Sequence, residues 1–253
     1  MKYYTQQWWR DSQKSHRILF LKVSDEAKEY SEQYFQRLYR ELLDEYIAFW
    51  KRKLDWIDKN PEDLTAEIYS SRLNQLESDL PDEIKNAIAD IRAAALGFVA
   101  HDIFEKIQTY CKKLEEQTIA VMNSYRDYYA SIKDRIPKQI AEPLLSQHEA
   151  RVRKIGFLNG DYIIHTKRQN VEYIFKFKNA SVLQDIEKTG HLSWDYNEIY
   201  LRDNGYEIHI LFIVSSQSDK RREIILTDAI IFAKAIDIEI IEKEPEEYYT
   251  EFI

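Results

Sequence analysis

The chain is poor in cysteine, glycine and proline: 253 residues contain one cysteine, five glycines and five prolines. A single cysteine excludes an internal disulfide framework and a cysteine-based zinc site. Cys111 falls within a helical apolar pattern, so we expect a small buried side chain there. Few glycines and prolines leave few breaks, which favours long helices and strands. Because the five glycines stand far apart, Walker and dinucleotide-binding motifs are excluded.

Long apolar runs are also missing. No stretch of about 18 apolar residues occurs, so we expect no membrane span. The first residues, MKYYTQQWWRDSQKSH, contain no signal-peptide core, and this predicts a cytoplasmic protein. The net charge of −8 argues against nucleic acid as a partner. Two basic stretches, KRQN (167–170) and DKRRE (219–223), would make a small basic patch if they adjoin.

The first part of the chain has the pattern of charged helices. Apolar residues recur at helical spacing over residues 25–59 and again over residues 98–132. Two helices of this length most simply pack antiparallel, so that each covers the apolar stripe of the other. Shorter helices are expected between them and after them. The sequence therefore predicts an N-terminal helical domain, residues 1–147, built on two long antiparallel helices.

After about residue 148 the pattern changes to that of strands. The segment VEYIFKFK (171–178) alternates apolar and polar positions, and Asn-Gly pairs at 159–160 and 204–205 are typical of two-residue type I′ hairpin turns. Residues 227–236 fit either a short helix or a strand, and the strand is favoured. We therefore expect an α+β fold in which a C-terminal antiparallel β-sheet of hairpins, residues 148–253, packs on the helical bundle.

The hairpin EIYLRDNGYEIHILF (198–212) has a register that is readable from the sequence. With Asn204-Gly205 as the loop, the expected pairs are Leu201 with Ile208, Ile199 with Ile210, Tyr200 with His209 and Arg202 with Glu207. The first two pairs are wholly apolar, so one face of the hairpin is expected to be buried and the other to contact water.

Four segments are similar to a known family: MKYYT (1–5), HEARV (148–152), FKNASV (177–182) and the hairpin. The chain resembles a domain of unknown function found mainly in Gram-positive bacteria, whose members begin Met-Lys/Arg-Tyr-Phe-Thr. Tyr4 stands where that family usually has Phe, and Glu149 where it usually has Asp. The resemblance implies a charged helical region followed by a β-rich part, and it implies no activity.

A partner-binding surface is predicted on the hairpin sheet. Trp194, Tyr196 and Tyr200 alternate along one strand, which would place three aromatic rings on one face beside His209. Such an aromatic strip is typical of protein–protein contacts. The alternative is that the long helices cover this face. The leading hypothesis is a non-catalytic, cytoplasmic binding or regulatory protein without a cofactor, comparable to immunity proteins or antitoxins, whose partner is another protein.

The alternative function is a metal-dependent hydrolase. His101 and Glu105 lie four residues apart on a predicted helix and so share a face, whereas Asp102 points away. The β part contributes three further histidines, His165, His191 and His209.

Two other features receive structural interpretations. We expect His148 to hold the turn between helix and strand by bonding a backbone group. Trp8 and Trp9 are adjacent on a helix and cannot both face the same stripe, so one is expected in the core and the other half exposed or packed under the β part.

Overall fold

The computed structural model describes residues 1–18, 20–51, 60–184, 186, 191–218 and 221–242. The α-helices all end by residue 145, and the strands of a large antiparallel sheet begin at residue 150. This confirms the α+β class, and the structure changes type where the sequence pattern does.

The α-helices of the described residues are α1 (Gln6–Arg17), α2 (Glu32–Lys51), α3 (Pro61–Asp79), α4 (Asp82–Lys85), α5 (Ile91–Ala95), α6 (His101–Ile132) and α7 (Lys138–Leu145). α3 shows why helices begin where they do. Pro61 is its first residue, and the side chain of Asn60 accepts the N–H of Glu62 at 3.1 Å. Within the described residues, no helix has the length and apolar character needed to cross a membrane.

The contacts divide the chain into two compact units: a helical unit, residues 11–117, and a sheet unit, residues 1–10 and 118–253. The boundaries of these two units thus differ from the predicted domain boundary after residue 147. The reason is that α1 and α6 each contribute residues to both units.

The expected antiparallel pair of residues 25–59 and 98–132 is not found among the described residues. α2 packs on α3 and α5 instead, and the ring of Phe35 lies 5.8 Å from that of Tyr69. Residues 52–59 of the expected helix lie outside the described part.

The apolar stripe of α6 is shared between two cores. In the helical unit, Ile103 and Cys111 pack with Leu76 of α3, which confirms the buried position of Cys111. In the sheet unit, Ile132 joins the core beneath the strands. Apolar periodicity therefore predicts this helix correctly, but it does not specify which elements cover the stripe.

The sheet unit contains β3 (Ala150–Leu158), β4 (Asp161–Arg168), β5 (Val171–Lys178), β6 (Ser181–Gln184), β7 (His191–Arg202), β8 (Gly205–Ser218), β9 (Arg221–Ala233) and β10 (Ala235–Glu242). Neighbouring strands are antiparallel, in the order β10-β5-β4-β3-β7-β8-β9-β6. Residues 227–236 belong to β9 and β10, as favoured. Among its described residues, the helical unit adds a single parallel two-residue pair, β1 (Lys22–Val23) and β2 (Phe98–Val99).

The first predicted hairpin is confirmed in detail. Leu158 pairs with Asp161, so Asn159 and Gly160 form the loop, with φ angles of 54° and 86°. Both are positive, as a type I′ turn requires.

The second hairpin has a different loop from the one predicted. Arg202 pairs with Gly205, which places Asp203 and Asn204 in the loop and pairs Ile199 with Ile208. The shift is two residues, so the apolar and polar faces are preserved. Gly205 begins β8 in this register, and its backbone lies so close to β9 that an added Cβ would stand 2.2 Å from the carbonyl oxygen of Ala233.

Both halves of the sheet contribute to one core. β3 and β7 pair only at Ala150 with Trp194 and at Arg151 with Ser193. The shared core contains Tyr162, Ile164, Phe175 and Phe177 from one half and Trp194, Ile199, Ile208, Ile210 and Phe212 from the other. α7 packs against this core through Ile140 and Leu144.

Candidate functional site

A β-bulge in β7 decides which side chains reach each face of the sheet. Trp194 pairs with Phe212 and Tyr196 pairs with Leu211, so Asp195 is the extra residue. A bulge reverses the side on which the preceding side chains lie relative to those that follow. Trp194 is therefore in the core, 0 % exposed, whereas Tyr196 lies on the opposite face.

The prediction of an exposed aromatic strip is therefore wrong. Tyr200 is only 7 % exposed, with its ring 5.2 Å from that of Tyr128 in α6. Tyr196 is half-buried, and its ring lies 5.2 Å from that of Tyr4. The face is covered by α6 and by the N-terminal segment, residues 1–5, in partial agreement with the alternative that helices cover it.

Glu198 of β7 holds the N-terminal segment in place. Its carboxylate is completely buried and accepts the backbone N–H groups of Lys2 at 2.8 Å, Tyr3 at 2.7 Å and Tyr4 at 2.6 Å. Hydrogen bonds to a charged acceptor are short and strong. Because the first four residues belong to no helix or strand, this carboxylate supplies the acceptors that a regular element would otherwise provide.

Polar contacts continue from Glu198 towards the protein surface. The Tyr200 hydroxyl donates to Glu198, and Nδ1 of His209 lies 3.7 Å from the same carboxylate. Nε2 of His209 is 2.7 Å from Glu207, which also accepts from Nε of Arg202 at 2.8 Å. Burial and the bond to Glu198 raise the pKa of Tyr200. Burial works to raise the pKa of Glu207, but the bonds from His209 and Arg202 lower it overall.

His148 and Asp195 form a second polar group on this side of the sheet. Nδ1 of His148 lies 2.9 Å from the main-chain oxygen of Asp195 and 3.3 Å from its Oδ1. The indole N–H of Trp9 donates to Oδ2 of Asp195 at 2.6 Å. Burial raises the pKa of Asp195, and His148 and Trp9 offset part of this rise.

The turn around His148 has the predicted role and one unexpected property. The contact with the Asp195 main chain confirms that His148 bonds a backbone group. The next residue, Glu149, has a φ of 64°, which non-glycine residues seldom adopt. The ring of His148 lies 4.9 Å from that of Tyr196, and its side chain remains 49 % exposed.

Trp8 and Trp9 are both buried, so of the two alternatives expected for the second tryptophan, half exposed or packed under the β part, the structure shows the latter. They pack with Leu211 and Leu226 on the face of the sheet opposite the shared core, under the β part as the alternative proposed. The indole N–H of Trp8 lies 3.3 Å from the main-chain oxygen of Thr118.

The proposed metal-binding histidines have separate partners. His165 is 3.1 Å from Glu172 and pairs with Lys154 across the β3–β4 hairpin. His209 pairs with Glu198 and not, as the predicted register had it, with Tyr200. In the helical unit, His101 lies 3.9 Å from Glu105 on an exposed helix face.

His191 lies at the start of β7, seven residues before Glu198, the residue that pairs with His209. Seven residues span roughly 23 Å along a strand, at about 3.3 Å per residue, so His191 and His209 are far apart. Across the described residues, no group of three His, Cys, Asp or Glu side chains is arranged to hold a metal ion.

A groove lies at the loop end of the β7–β8 hairpin. Its volume is about 540 Å³, and it is lined by Ser181, Leu183, Leu201, Arg202, Asp203, Asn204, Glu207 and Phe232. Leu183 of β6 is 65 % exposed there. The ion pair between Arg202 and Glu207, 2.7 Å, lies at the same place.

The two basic stretches of the sequence, residues 167–170 and 219–223, are described to different extents. Residues 167–170 close the turn between β4 and β5, where Gln169 has a φ of 53°. In DKRRE, residues 219 and 220 lie outside the described part of the chain, and the side chains of residues 221–223 are not described.

Sequence reasoning missed two residues of this region, Glu198 and Asp195. Glu198 gave no signal, because it alternates with Tyr200 and Arg202 on the strand face expected to contact water, where a carboxylate is ordinary. Asp195 had none, since a bulge depends on the pairing of both strands.

Comparison with known proteins identifies the family. A family described as "Protein of unknown function (DUF4085)" matches residues 3–217. The chain belongs to this family. The DUF4085 match takes in the hairpin of residues 198–212, Glu198, the His148–Asp195 pair and every groove residue except Phe232. No curated protein and no solved structure matches the chain.

Proposed function

We propose that the chain is a binding protein that contacts a protein partner through the groove at the end of the β7–β8 hairpin. The exposure of Leu183 beside this groove is the observation that carries the proposal. Leu183 lines the groove together with Leu201 and Phe232, and an exposed apolar patch rimmed by polar residues is typical of an interaction site. This groove replaces the aromatic strip as the place of contact.

The occupant that fits best is an extended segment of the partner. Among the described residues, β6 stands at the end of the sheet and pairs only with β9, so its other edge is free to accept a strand. Leu183, Leu201 and Phe232 would contact an apolar side chain of that segment, and Arg202 and Glu207 would contact its polar groups. An immunity-like or antitoxin-like role, in which a partner is neutralised by binding, is the specific form that we propose.

The test uses the full chain with Leu183 changed to Glu. A charge in the centre of the contact is expected to weaken partner binding by about 2 kcal/mol or more, roughly 30-fold. The partner is captured from a lysate of the source cells, identified by mass spectrometry, purified, and titrated by calorimetry.

Leu145→Glu is the matched control. Leu145 is 46 % exposed on α7 and does not line the groove, so this variant is expected to bind like the unchanged chain. A purified partner that binds Leu183→Glu and Leu145→Glu equally well would overturn the proposed contact surface.

We also propose a cytoplasmic location. It is supported by the single cysteine, because the chain needs no oxidising compartment to form an internal disulfide.

The alternative, a metal-dependent hydrolase, has weaker support. The His101–Glu105 contact offers two ligands, and both side chains are about two-thirds exposed, at 65 % and 66 %. Elemental analysis of the purified protein tests it, since a hydrolase of this kind would retain a stoichiometric metal ion.

A further inference from the structure

The hydrogen-bond geometry determines which nitrogen of His148 carries the proton in the neutral ring. A main-chain carbonyl oxygen only accepts, and Nδ1 of His148 lies 2.9 Å from the carbonyl of Asp195. Nδ1 must therefore donate, and the lone pair of the neutral imidazole lies on Nε2. The described residues supply no hydrogen bond to Nε2, and the side chain is half exposed, so this lone pair faces the solvent.

A buried carboxylate stands on the protonated side of the ring. Asp195 is 5 % exposed and is held by the indole N–H of Trp9, while its Oδ1 lies 3.3 Å from Nδ1 of His148. A carboxylate in this position orients an imidazole and stabilises the positive charge that the ring acquires when Nε2 forms a bond. The arrangement matches an activated nucleophile or base together with its orienting group.

We propose that His148 is a nucleophilic site that accepts an acyl group from a neutral activated ester or thioester, with Asp195 as its positioning residue. The site lies apart from the groove, and it goes beyond the binding function proposed above. It requires no partner, so the two proposals succeed or fail separately.

The surrounding charge selects the class of electrophile. The negative charge of Glu149 also acts on Asp195 and adds to the rise of its pKa. Two carboxylates repel an anionic phosphoryl donor, whereas a neutral acyl donor approaches without that cost.

The reaction balances without a further reagent. The Nε2 lone pair attacks the carbonyl carbon and forms a C–N bond, while the C–O or C–S bond breaks and its electron pair leaves with the alcohol or thiol. Water then hydrolyses the acyl-imidazole, which releases the carboxylic acid and restores His148.

The test measures the modification rate of each histidine in the full chain with diethyl pyrocarbonate, a neutral electrophile whose imidazole adduct is stable. Peptide mass spectrometry resolves the six histidines. We expect His148 to react roughly five- to tenfold faster than His101, although His101 is more exposed at 65 %. This comparison needs no substitution. A His148 rate equal to or below that of His101 would overturn the proposal.

Asp195→Asn tests the positioning role. Asparagine still accepts the indole N–H of Trp9, and we expect the His148 rate to fall to that of His101. Asp195→Glu restores a carboxylate at this position, and we expect it to recover part of the His148 rate.

Glu105→Gln is the matched control, since it removes the exposed carboxylate beside His101 and should leave the His101 rate unchanged. An Asp195→Asn variant with an unchanged rate at His148 would contradict the positioning role.

Discussion

At the scale of single residues, Glu198 fixes the position of residues 2–4. A buried carboxylate is costly unless donors surround it. Here the donors are the N–H groups of residues 2–4 and the hydroxyl of Tyr200. Glu198 and the N-terminal segment therefore depend on each other: without the segment the charge is unpaired, and without the charge the segment's backbone has no acceptor.

Replacing Glu198 with Gln tests this dependence. Glutamine has the same size but only one accepting oxygen, and its NH₂ group would face backbone donors. We expect the free energy of unfolding to fall by on the order of 3 kcal/mol, measured by urea denaturation with tryptophan fluorescence.

Glu239→Gln is the control for this change. Glu239 is half exposed and forms a surface ion pair with Lys176 at 3.1 Å, so its replacement is expected to cost about 0.5 kcal/mol or less. Equal losses in the two variants would mean that Glu198 contributes no more than a surface charge.

At the scale of elements, two backbone features fix the β7–β8 hairpin. The bulge at Asp195 places Trp194 and Tyr196 on opposite faces. At the other end, Gly205 has a φ of 153° and lies against the backbone of Ala233 and Lys234. Both features adjust a strand to a neighbouring strand, and together they decide which side chains reach the groove and which are buried.

Gly205→Ala is expected to be more damaging than the same change in the first hairpin. At Gly205 the new methyl group would meet a backbone oxygen at 2.2 Å, whereas at Gly160, with a φ of 86°, nothing lies within 4 Å. Gly160→Ala should cost only the positive-φ penalty of about 1 kcal/mol. Gly205→Ala should cost at least about twice as much, because backbone atoms must move.

Thermal and urea unfolding of the two glycine variants provide the measurement. A Gly205→Ala variant as stable as Gly160→Ala would show that β8 and β9 are not as close as described.

At the scale of the whole molecule, the sheet unit contains many tyrosines whose side chains are buried or partly buried. Burial raises the pKa of Tyr4 to about 12 and also raises those of Tyr125, Tyr128, Tyr196 and Tyr200. A folded-state pKa above the unfolded value of about 10 means that the stabilisation is complete below about pH 10. It is lost as the pH rises through the folded-state values.

We therefore expect alkaline unfolding in which part of the 18 tyrosines ionise only as the chain unfolds. Above about pH 10, each tyrosine that is protonated only in the folded state lowers the free energy of unfolding by about 1.4 kcal/mol per pH unit. Ultraviolet absorbance of tyrosinate and far-ultraviolet circular dichroism are recorded together. Complete ionisation before any loss of secondary structure would contradict the burial of these rings.

The amino-acid sequence by itself determined the local structure. Helical periodicity located α6, alternation located β5, and the pair Asn159-Gly160 specified its hairpin loop. Each of these depends on residues close together in the chain, so a short window contains the information.

Only the tertiary structure decided what the elements cover. Three features join parts of the chain that are distant in sequence. They are the bulge at Asp195, the close approach of Gly205 to Ala233, and the hydrogen bonds from residues 2–4 to Glu198. The pattern of residues along one strand does not specify which strand or helix packs against it. The same aromatic residues therefore predict an exposed surface from the sequence and form a buried one in the fold.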